Sequence, residues 1–381
     1  MTDYSGNMLS IHVSGSILGA DDGTDIDISN RHSGYNHVIQ ADGGYWTASF
    51  AIDGNQQSIE DWISNGLGRH VTVYGPGLQI VWEGFVDKLS ASLGRLSVTR
   101  GALSDIANRV WSTYAPSDTA TTIPTIGVSD TTSHSDDATS IAKYGIWEYV
   151  MSGGSVPVAE VTAMQDTYLA EHANPITTQQ LGGQGGSPNV RIECKGYAQL
   201  FNQYYYQSLA SGVDDLTNKL IDIIDYDPNS IFSSANADIT ANTLSVPTYD
   251  DQERMAWSAI KELLAAGDAD DTRHLFGVYA NRRIEYAPMS DELAYTERLL
   301  DPAQRIETTA GVWVKPWEVL PGPWLFLPDF LVGRSPPANK RLDPRYLFIE
   351  SVTYSEPWGV QIRGGKFDTV QQRMARYGLQ G

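Results

Sequence analysis

Apolar and polar residues alternate in short runs over the first hundred positions. From 45 to 52 the alternation has the period of a strand with one buried face. Similar runs predict further strands at 70–74, 78–82, 84–89 and 95–100. A short helical turn is predicted at 58–65, where the residues facing inward are Ile59, Trp62 and Ile63. Several short strands separated by turns are typical of a small β-barrel or sandwich.

Helical spacing of apolar residues appears only later in the chain. The inward face of the helix predicted at 158–172 comprises Val161, Met164, Tyr168 and Leu169. The helix predicted at 250–266 has Asp250 or Asp251 as its cap and Gly267 as its stop. Two more helices are predicted at 216–224 and 368–377.

The remaining segments again have the pattern of strands and turns. Residues 114–138 are rich in Thr, Ser, Asp and Pro, which predicts a long loop or an exposed arm. Strands are predicted at 144–151 and 190–195, with hairpins at 275–287 (turning at Asn281) and 348–363.

The pattern divides the chain into five parts and predicts an α+β fold that is mainly β. Two small β-barrels carry inserted helices and an extra β-rich peripheral domain. The parts are a first barrel at 1–112, a polar arm at 113–139, a second barrel-forming segment at 140–210, an α/β insertion at 211–300, and Trp/Pro-rich strands with a final hairpin and helix at 301–381, which complete the second half.

One local plan occurs three times. An alternating strand that carries a basic residue near its end reaches a glycine, and a helix follows, at Gly101, Gly196 and Gly364. Glycine permits a tight passage from strand to helix that a Cβ would obstruct. The repeats predict a duplicated barrel, although unrelated strand-to-helix joints could share the same plan.

The charge balance excludes one large class of function. The chain has 26 Lys and Arg against 46 Asp and Glu, a net charge of −20. A surface of this sign does not bind nucleic acid by neutralising phosphates. No apolar run approaches membrane-spanning length, so no membrane span is expected. The N-terminus has no signal-peptide pattern, so the protein is expected to be made in a reducing compartment and not exported by the Sec route.

No catalytic residues are predicted. The seven His residues form no metal-binding pair, and a metal role for His32 and His37 is disfavoured. Cys194, the single cysteine, lies in the middle of a predicted strand, where a core position is expected. No cofactor and no metal are expected.

Adjacent acidic residues occur at several places and are best explained as solvated loops and helix caps. Two clusters leave calcium open as an alternative, because their carboxylates could supply oxygen ligands, although neither has a complete EF-hand loop. They are the segment 21–27 and the group Asp225, Asp227 and Asn229.

The aromatic residues give candidates for core and contact positions. Barrel-core candidates are Tyr45, Trp46, Phe50, Tyr74 and Trp82. The Trp/Pro-rich run 312–331 supplies interface candidates, because Trp anchors interfaces and Pro blunts strand edges. They are Trp313, Trp317, Trp324, Phe326 and Phe330. A sugar-binding face is the less favoured interpretation of the run, and plain core packing explains any one of these residues equally well.

Short motifs in the first hundred residues resemble the opening barrel of baseplate hub or tail-tip proteins of siphophage-type tailed bacteriophages. The motifs are 44–50 (GYWTASF), Trp62, 67–74 (LGRHVTVY), 81–86 (VWEGFV) and 96–101 (LSVTRG). Residues 140–145 (SIAKYG) resemble the start of the second half of such hubs, and the 158–172 helix, the 275–279 strand, the 324–330 run and the 368–377 helix are also similar. The likeness touches most of the chain through short, degenerate motifs.

The resemblance implies a structural protein of the virion with no enzymatic activity. It implies a homotrimer, two barrels per subunit, at the phage tail tip, assembled in the host cytoplasm. Implied partners are the distal tail protein, the tape-measure protein and other tail-tip or fibre proteins, while genomic DNA passes through without specific binding. The chain carries no fused wall-degrading module, so such an activity is not implied.

Two other classes stay open at this point. A distal tail ring protein would be a hexamer with one barrel and a peripheral domain. A carbohydrate-binding protein or glycosidase would use the tryptophan-rich run.

Overall fold

The computed structural model describes thirteen stretches of the chain. They are residues 9–15, 25–75, 77–116, 130–182, 186–206, 214–246, 254–289, 293–296, 306–308, 313–314, 324–326, 346–356 and 359–364.

Strands dominate these stretches, as the sequence predicts. The first twelve are β1 (Ser10–Ser14), β2 (Asp25–Asp27), β3 (His32–Gln40), β4 (Gly43–Asp53), β5 (His70–Tyr74), β6 (Ile80–Leu93), β7 (Leu96–Arg100), β8 (Arg109–Pro116), β9 (Asp130–Thr131), β10 (Ser135–Asp136), β11 (Glu148–Val156) and β12 (Thr177–Leu181). The other twelve are β13 (Asn189–Gly196), β14 (Asp214–Asp215), β15 (Ala237–Ile239), β16 (Ser245–Val246), β17 (His274–Val278), β18 (Ile284–Pro288), β19 (Leu293–Thr296), β20 (Ile306–Thr308), β21 (Trp313–Val314), β22 (Trp324–Phe326), β23 (Tyr346–Ser355) and β24 (Gly359–Gly364).

The helices are fewer and mostly short. They are α1 (Gln56–Asn65), α2 (Ala138–Tyr144), α3 (Val158–His172), α4 (Leu216–Asp225) and α5 (Ala256–Ala266). Short 3₁₀ turns lie at Leu103–Asp105, Tyr197–Asn202, Ser234–Asn236 and Ala280–Arg282.

A large sheet curls into a half-barrel around the core. Its central path runs in the antiparallel order β2, β1, β5, β6, β13, β4, β3, β23 and β24. Strand β6 is long enough to pair with β5 in its first half and β7 in its second, while β13 runs along its other edge. Strand β12 continues the sheet beyond β7.

The three strands of the repeated plan, β7, β13 and β24, all belong to this sheet. In the described stretches they therefore contribute to one half-barrel, and β13 lies between β6 and β4 of the predicted first barrel. The plan is also modified locally, since β7 and β13 are followed by 3₁₀ turns rather than α-helices. Division of the chain into two barrels stays a prediction.

The hydrophobic core extends from the half-barrel into the 214–289 region without a break. Strand β17 pairs in parallel with the start of β4, and antiparallel β18 continues from it. Helix α5 packs Trp257 against Trp46 and Phe276, with ring centroids 5.9 and 6.0 Å apart. This aromatic contact links the helical segment to the concave side of the sheet.

A second, smaller sheet has β8 at its centre. Strands β9 and β10 pair antiparallel to β8, and β11 pairs parallel to it, with α2 in the connection between β8 and β11. Helix α3 covers this sheet, because Val161 is buried and the buried Gln165 donates from Nε2 to the Val110 carbonyl at 3.0 Å.

Several predicted details are wrong. Tyr144 closes helix α2 rather than opening a strand, since Gly145 follows with φ of 80°. Leu78 is 80% exposed in the turn before β6, so the alternation from 78 to 82 does not hold there. Helix α5 begins after Met255, and Asp250, Asp251 and the predicted 368–377 helix lie outside the described residues.

Candidate assembly surface

The barrel-core candidates lie in or beside the half-barrel core. Tyr45, Phe50 and Trp82 are buried. Trp46 is half-buried against Trp257, and half-buried Tyr74 meets the His12 ring edge-on at 5.2 Å.

The interface candidates fall at the limit of what the structure describes. Trp313 lies in β21, and Trp324 and Phe326 lie in β22, which pairs with β19 and β23. Trp317 and Phe330 lie outside the described residues. A contact role for these five stays a prediction.

The glycines of the repeated plan act through close packing. A Cβ on Gly196 would overlap the Tyr45 carbonyl, while Gly196 itself has an ordinary φ of −72°. A Cβ on Gly101 would lie 3.2 Å from the Ile176 carbonyl oxygen. Gly364 ends β24. Glycine at 196 therefore lets two strands approach each other rather than supplying an unusual dihedral.

Exposed apolar side chains concentrate in one part of the described chain. Six large apolar residues are exposed there, and five of them fall between 149 and 181. These five are Tyr149, Val158, Met164, Ile176 and Leu181. Scattered exposed apolar residues are ordinary, but a concentration of this kind marks a contact surface.

The first part of this surface is an open groove between α3 and β11, which we call the α3 groove. It has a volume of about 390 Å³, and its lining residues are Met151, Ala163, Met164, Thr167, Tyr168 and Glu171. The Tyr168 ring is stacked between Tyr149 at 4.5 Å and His172 at 3.9 Å. Partial burial raises the pKa of Tyr168 to about 12, so this wall of the groove is uncharged at neutral pH.

The second part is the edge strand β12. All five of its residues are exposed, and Ile176 and Leu181 at its ends are 67% and 84% exposed. In the described stretches β12 pairs with β7 alone, so its outer edge presents unpaired backbone groups to solvent. Such an edge can accept a strand from another chain.

Sequence reasoning missed both parts of this surface. The helical spacing of α3 was interpreted as a single inward stripe that included Met164, but Met164 is 43% exposed and Gln165 takes the buried position. The available signal was that apolar residues occur on all sides of α3, which indicates a helix covered on more than one side.

A buried polar cluster holds β5, β6 and the loop before β18 together. His70 Nδ1 lies 2.6 Å from the Tyr197 hydroxyl, and Glu83 lies 3.5 Å from His70 Nε2. Burial lowers the pKa of His70 to about 4, with the Arg282 charge acting in the same direction, and burial raises the pKa of Glu83. The Arg282 guanidinium lies 4.8 Å from the centre of the Tyr197 ring. The imidazole is therefore neutral at physiological pH and links strands through hydrogen bonds.

The candidate calcium ligands are occupied by the chain itself where the structure describes them. Asp227 accepts backbone N–H groups from Asn229, Ile231 and Phe232 at 2.6 to 3.0 Å. Asp225 accepts from the backbone and the hydroxyl of Ser234. Across the described stretches, no group of three or more His, Cys, Asp or Glu side chains could hold a metal.

Cys194 lies in β13 with its side chain in the core. Burial raises the pKa of its thiol well above the usual value, which disfavours the reactive thiolate. The described helices include none long and apolar enough to cross a membrane.

Comparisons with known proteins give structural neighbours only. No protein-family model and no curated protein matches the chain. The tail protein from Neisseria meningitidis MC58 is 8% identical, with a TM-score of 0.45 over 97% of this chain and 99% of that one. The 43 kDa tail protein of prophage MuSo2 from Shewanella oneidensis is 8% identical, with a TM-score of 0.42 over 93% and 95%. The structural neighbours thus include tail proteins, one of them from a prophage.

Proposed function

We propose that the chain is a structural component of a bacteriophage tail. The observation that carries this proposal is the concentration of exposed apolar side chains between 149 and 181, beside an open strand edge. Permanent assemblies bury apolar surface of this kind between subunits. On this proposal the protein works by contact rather than by catalysis, and it resides in the virion.

The packing of the motif at 81–86 supports the same proposal. Trp82 and Val86 are buried in the half-barrel core, and a Cβ on Gly84 would overlap the Lys195 carbonyl of the neighbouring strand. The residues that carry the resemblance to tail hubs are thus the residues that build the half-barrel.

The finer proposal is a baseplate hub at the tail tip. A homotrimer with two barrel modules per subunit would offer six similar surfaces to the six-fold tail tube and distal tail ring. The distal tail protein, the tape-measure protein and tip or fibre proteins would be its neighbours. Genomic DNA would pass an acidic subunit without sticking, because like charges repel.

Incorporation into particles tests this proposal. In a phage or prophage that encodes the chain, antibody-labelled particles should carry the label at the tail tip in electron micrographs. Ile176→Asp with Leu181→Asp should lower the amount of chain in purified particles at least tenfold, because charges would enter a buried contact.

Leu78→Asp is the matched control, since Leu78 is equally exposed but lies in a separate hairpin turn. It should leave incorporation unchanged. Particles without the chain, or a double variant that incorporates like the control, would contradict the proposal.

A further inference from the structure

Helix α3 has apolar residues on two opposite sides. Its inner side packs on the small sheet through Val161, with Gln165 bonded to the Val110 carbonyl. Its outer side exposes Val158 and Met164. A helix with only one covered side would be polar on the other, so the outer side of α3 has the composition of a covered surface.

The α3 groove on this outer side is held open by its own contacts. Tyr168 is fixed between the stacked rings of Tyr149 and His172. Met151 and Met164 line the groove, and the unbranched thioether of methionine adapts to side chains of different shapes. The groove thus combines a rigid aromatic wall with an adaptable lining, and its size suits one or two aliphatic side chains.

The charges around the groove are all of one sign. Helix α3 contains no Lys or Arg, and it exposes the carboxylates of Glu160 and Glu171. Neither of these two glutamates forms an ion pair within the described residues. Glu171 also lies in the last turn of the helix, where the helix dipole disfavours a negative charge. A cation supplied from outside would relieve both carboxylates.

We propose that the α3 groove binds a basic amphipathic segment of another protein. An aliphatic side chain of the segment enters the groove, and two Lys or Arg side chains pair with Glu160 and Glu171. Eleven residues of helix separate these glutamates by about 16 Å, so the two basic residues would be about three helical turns apart. A second copy of this chain is the weaker occupant, because it carries the same net charge of −20.

This inference rests on the proposed assembly role, since it names the chemistry of a partner for the same surface. The test is fluorescence anisotropy with the full chain and a labelled peptide of about 15 residues made of Leu, Ala and Lys. Two further peptides separate the causes of binding. In one, Gln replaces Leu at unchanged charge, and in the other, Glu replaces Lys.

The Leu/Lys peptide should bind at least tenfold more tightly than either other peptide. Met164→Asp and the pair Glu160→Gln with Glu171→Gln should each weaken its binding about tenfold. Glu60→Gln on α1 and Leu78→Asp should leave binding unchanged, and both are exposed. Circular dichroism should show the same fold for all variants, since every substituted side chain is exposed.

Three results would overturn the inference. They are no binding of the Leu/Lys peptide, equal binding of the Leu/Lys and Gln/Lys peptides, or binding that Met164→Asp leaves intact. Each would leave the proposed tail role standing, because particle incorporation is measured separately through Ile176 and Leu181.

Discussion

At the scale of single residues, packing distances decide which positions tolerate change. Gly196 and Tyr45 lie where β13 and β4 meet, and no side chain fits between their backbones. We expect Gly196→Ala to lower the free energy of unfolding by roughly 3 kcal/mol or more, because an overlap with backbone cannot be relieved by a rotamer change. Urea denaturation followed by tryptophan fluorescence measures this loss.

Gly186→Ala is the control for that change. A Cβ at Gly186 meets nothing within 4 Å, and its φ is ordinary. We expect a change within about 0.5 kcal/mol. Equal stabilities of the two variants would contradict the packing at Gly196.

A buried histidine makes stability depend on pH. Burial lowers the pKa of His37 to about 3, and its Nδ1 lies 2.9 Å from the Tyr35 hydroxyl. Below about pH 6.5 the unfolded chain takes up a proton that the buried ring does not, so stability falls as the pH falls from there towards the folded pKa. His37→Gln should remove this contribution, which amounts to roughly 2–3 kcal/mol at about pH 4.5.

The measurement is urea denaturation of both proteins between about pH 7 and 4.5. The wild-type chain should lose more stability than His37→Gln across this range, and His12→Gln at the exposed end of β1 should follow the wild type. Parallel pH profiles for wild type and His37→Gln would show that His37 titrates normally.

Residue-level reasoning from sequence identified Trp82, Phe50 and Cys194 as interior positions, because strand alternation places them on one face. It did not identify the contact between His70 and Tyr197, which lie 127 positions apart. Such polar pairs depend on how the sheet curls, and no local pattern encodes that.

At the scale of elements, a loop after α4 is organised by one carboxylate. Asp227 accepts three backbone N–H groups and is largely buried. We expect Asp227→Ala to lower the free energy of unfolding by about 1–3 kcal/mol, because buried donors lose their acceptor. EDTA should not shift the melting temperature of the wild-type chain, since protein groups already satisfy this carboxylate. A clear drop with EDTA, reversed by calcium, would favour the cation site instead.

Element boundaries were predictable where a local signal marks them. Helix α3 spans the predicted residues 158–172, and α4 lies close to its predicted range. The orientation of α3 was not predictable, because apolar residues on all its sides leave the inner face undetermined. Strand β12 was missed since all its side chains are exposed and TTQQL has no alternation.

At the scale of the whole molecule, one sheet joins distant parts of the sequence. Strand β13 inserts between β4 and β6, and β23 pairs with β3 more than three hundred residues earlier. Sequence reasoning predicted mainly-β character and most of the strands, yet it assigned these strands to separate barrels. Local periodicity carries no information about which strands become neighbours, so the sheet order could not be predicted.

Native mass spectrometry of the purified full-length chain tests the central claim most directly. A tail hub that matches a six-fold tube should be present as three copies, and Ile176→Asp with Leu181→Asp should shift it towards single subunits, whereas Leu78→Asp should not. A stable single subunit at micromolar concentration, or a ring of six, would contradict the trimeric hub.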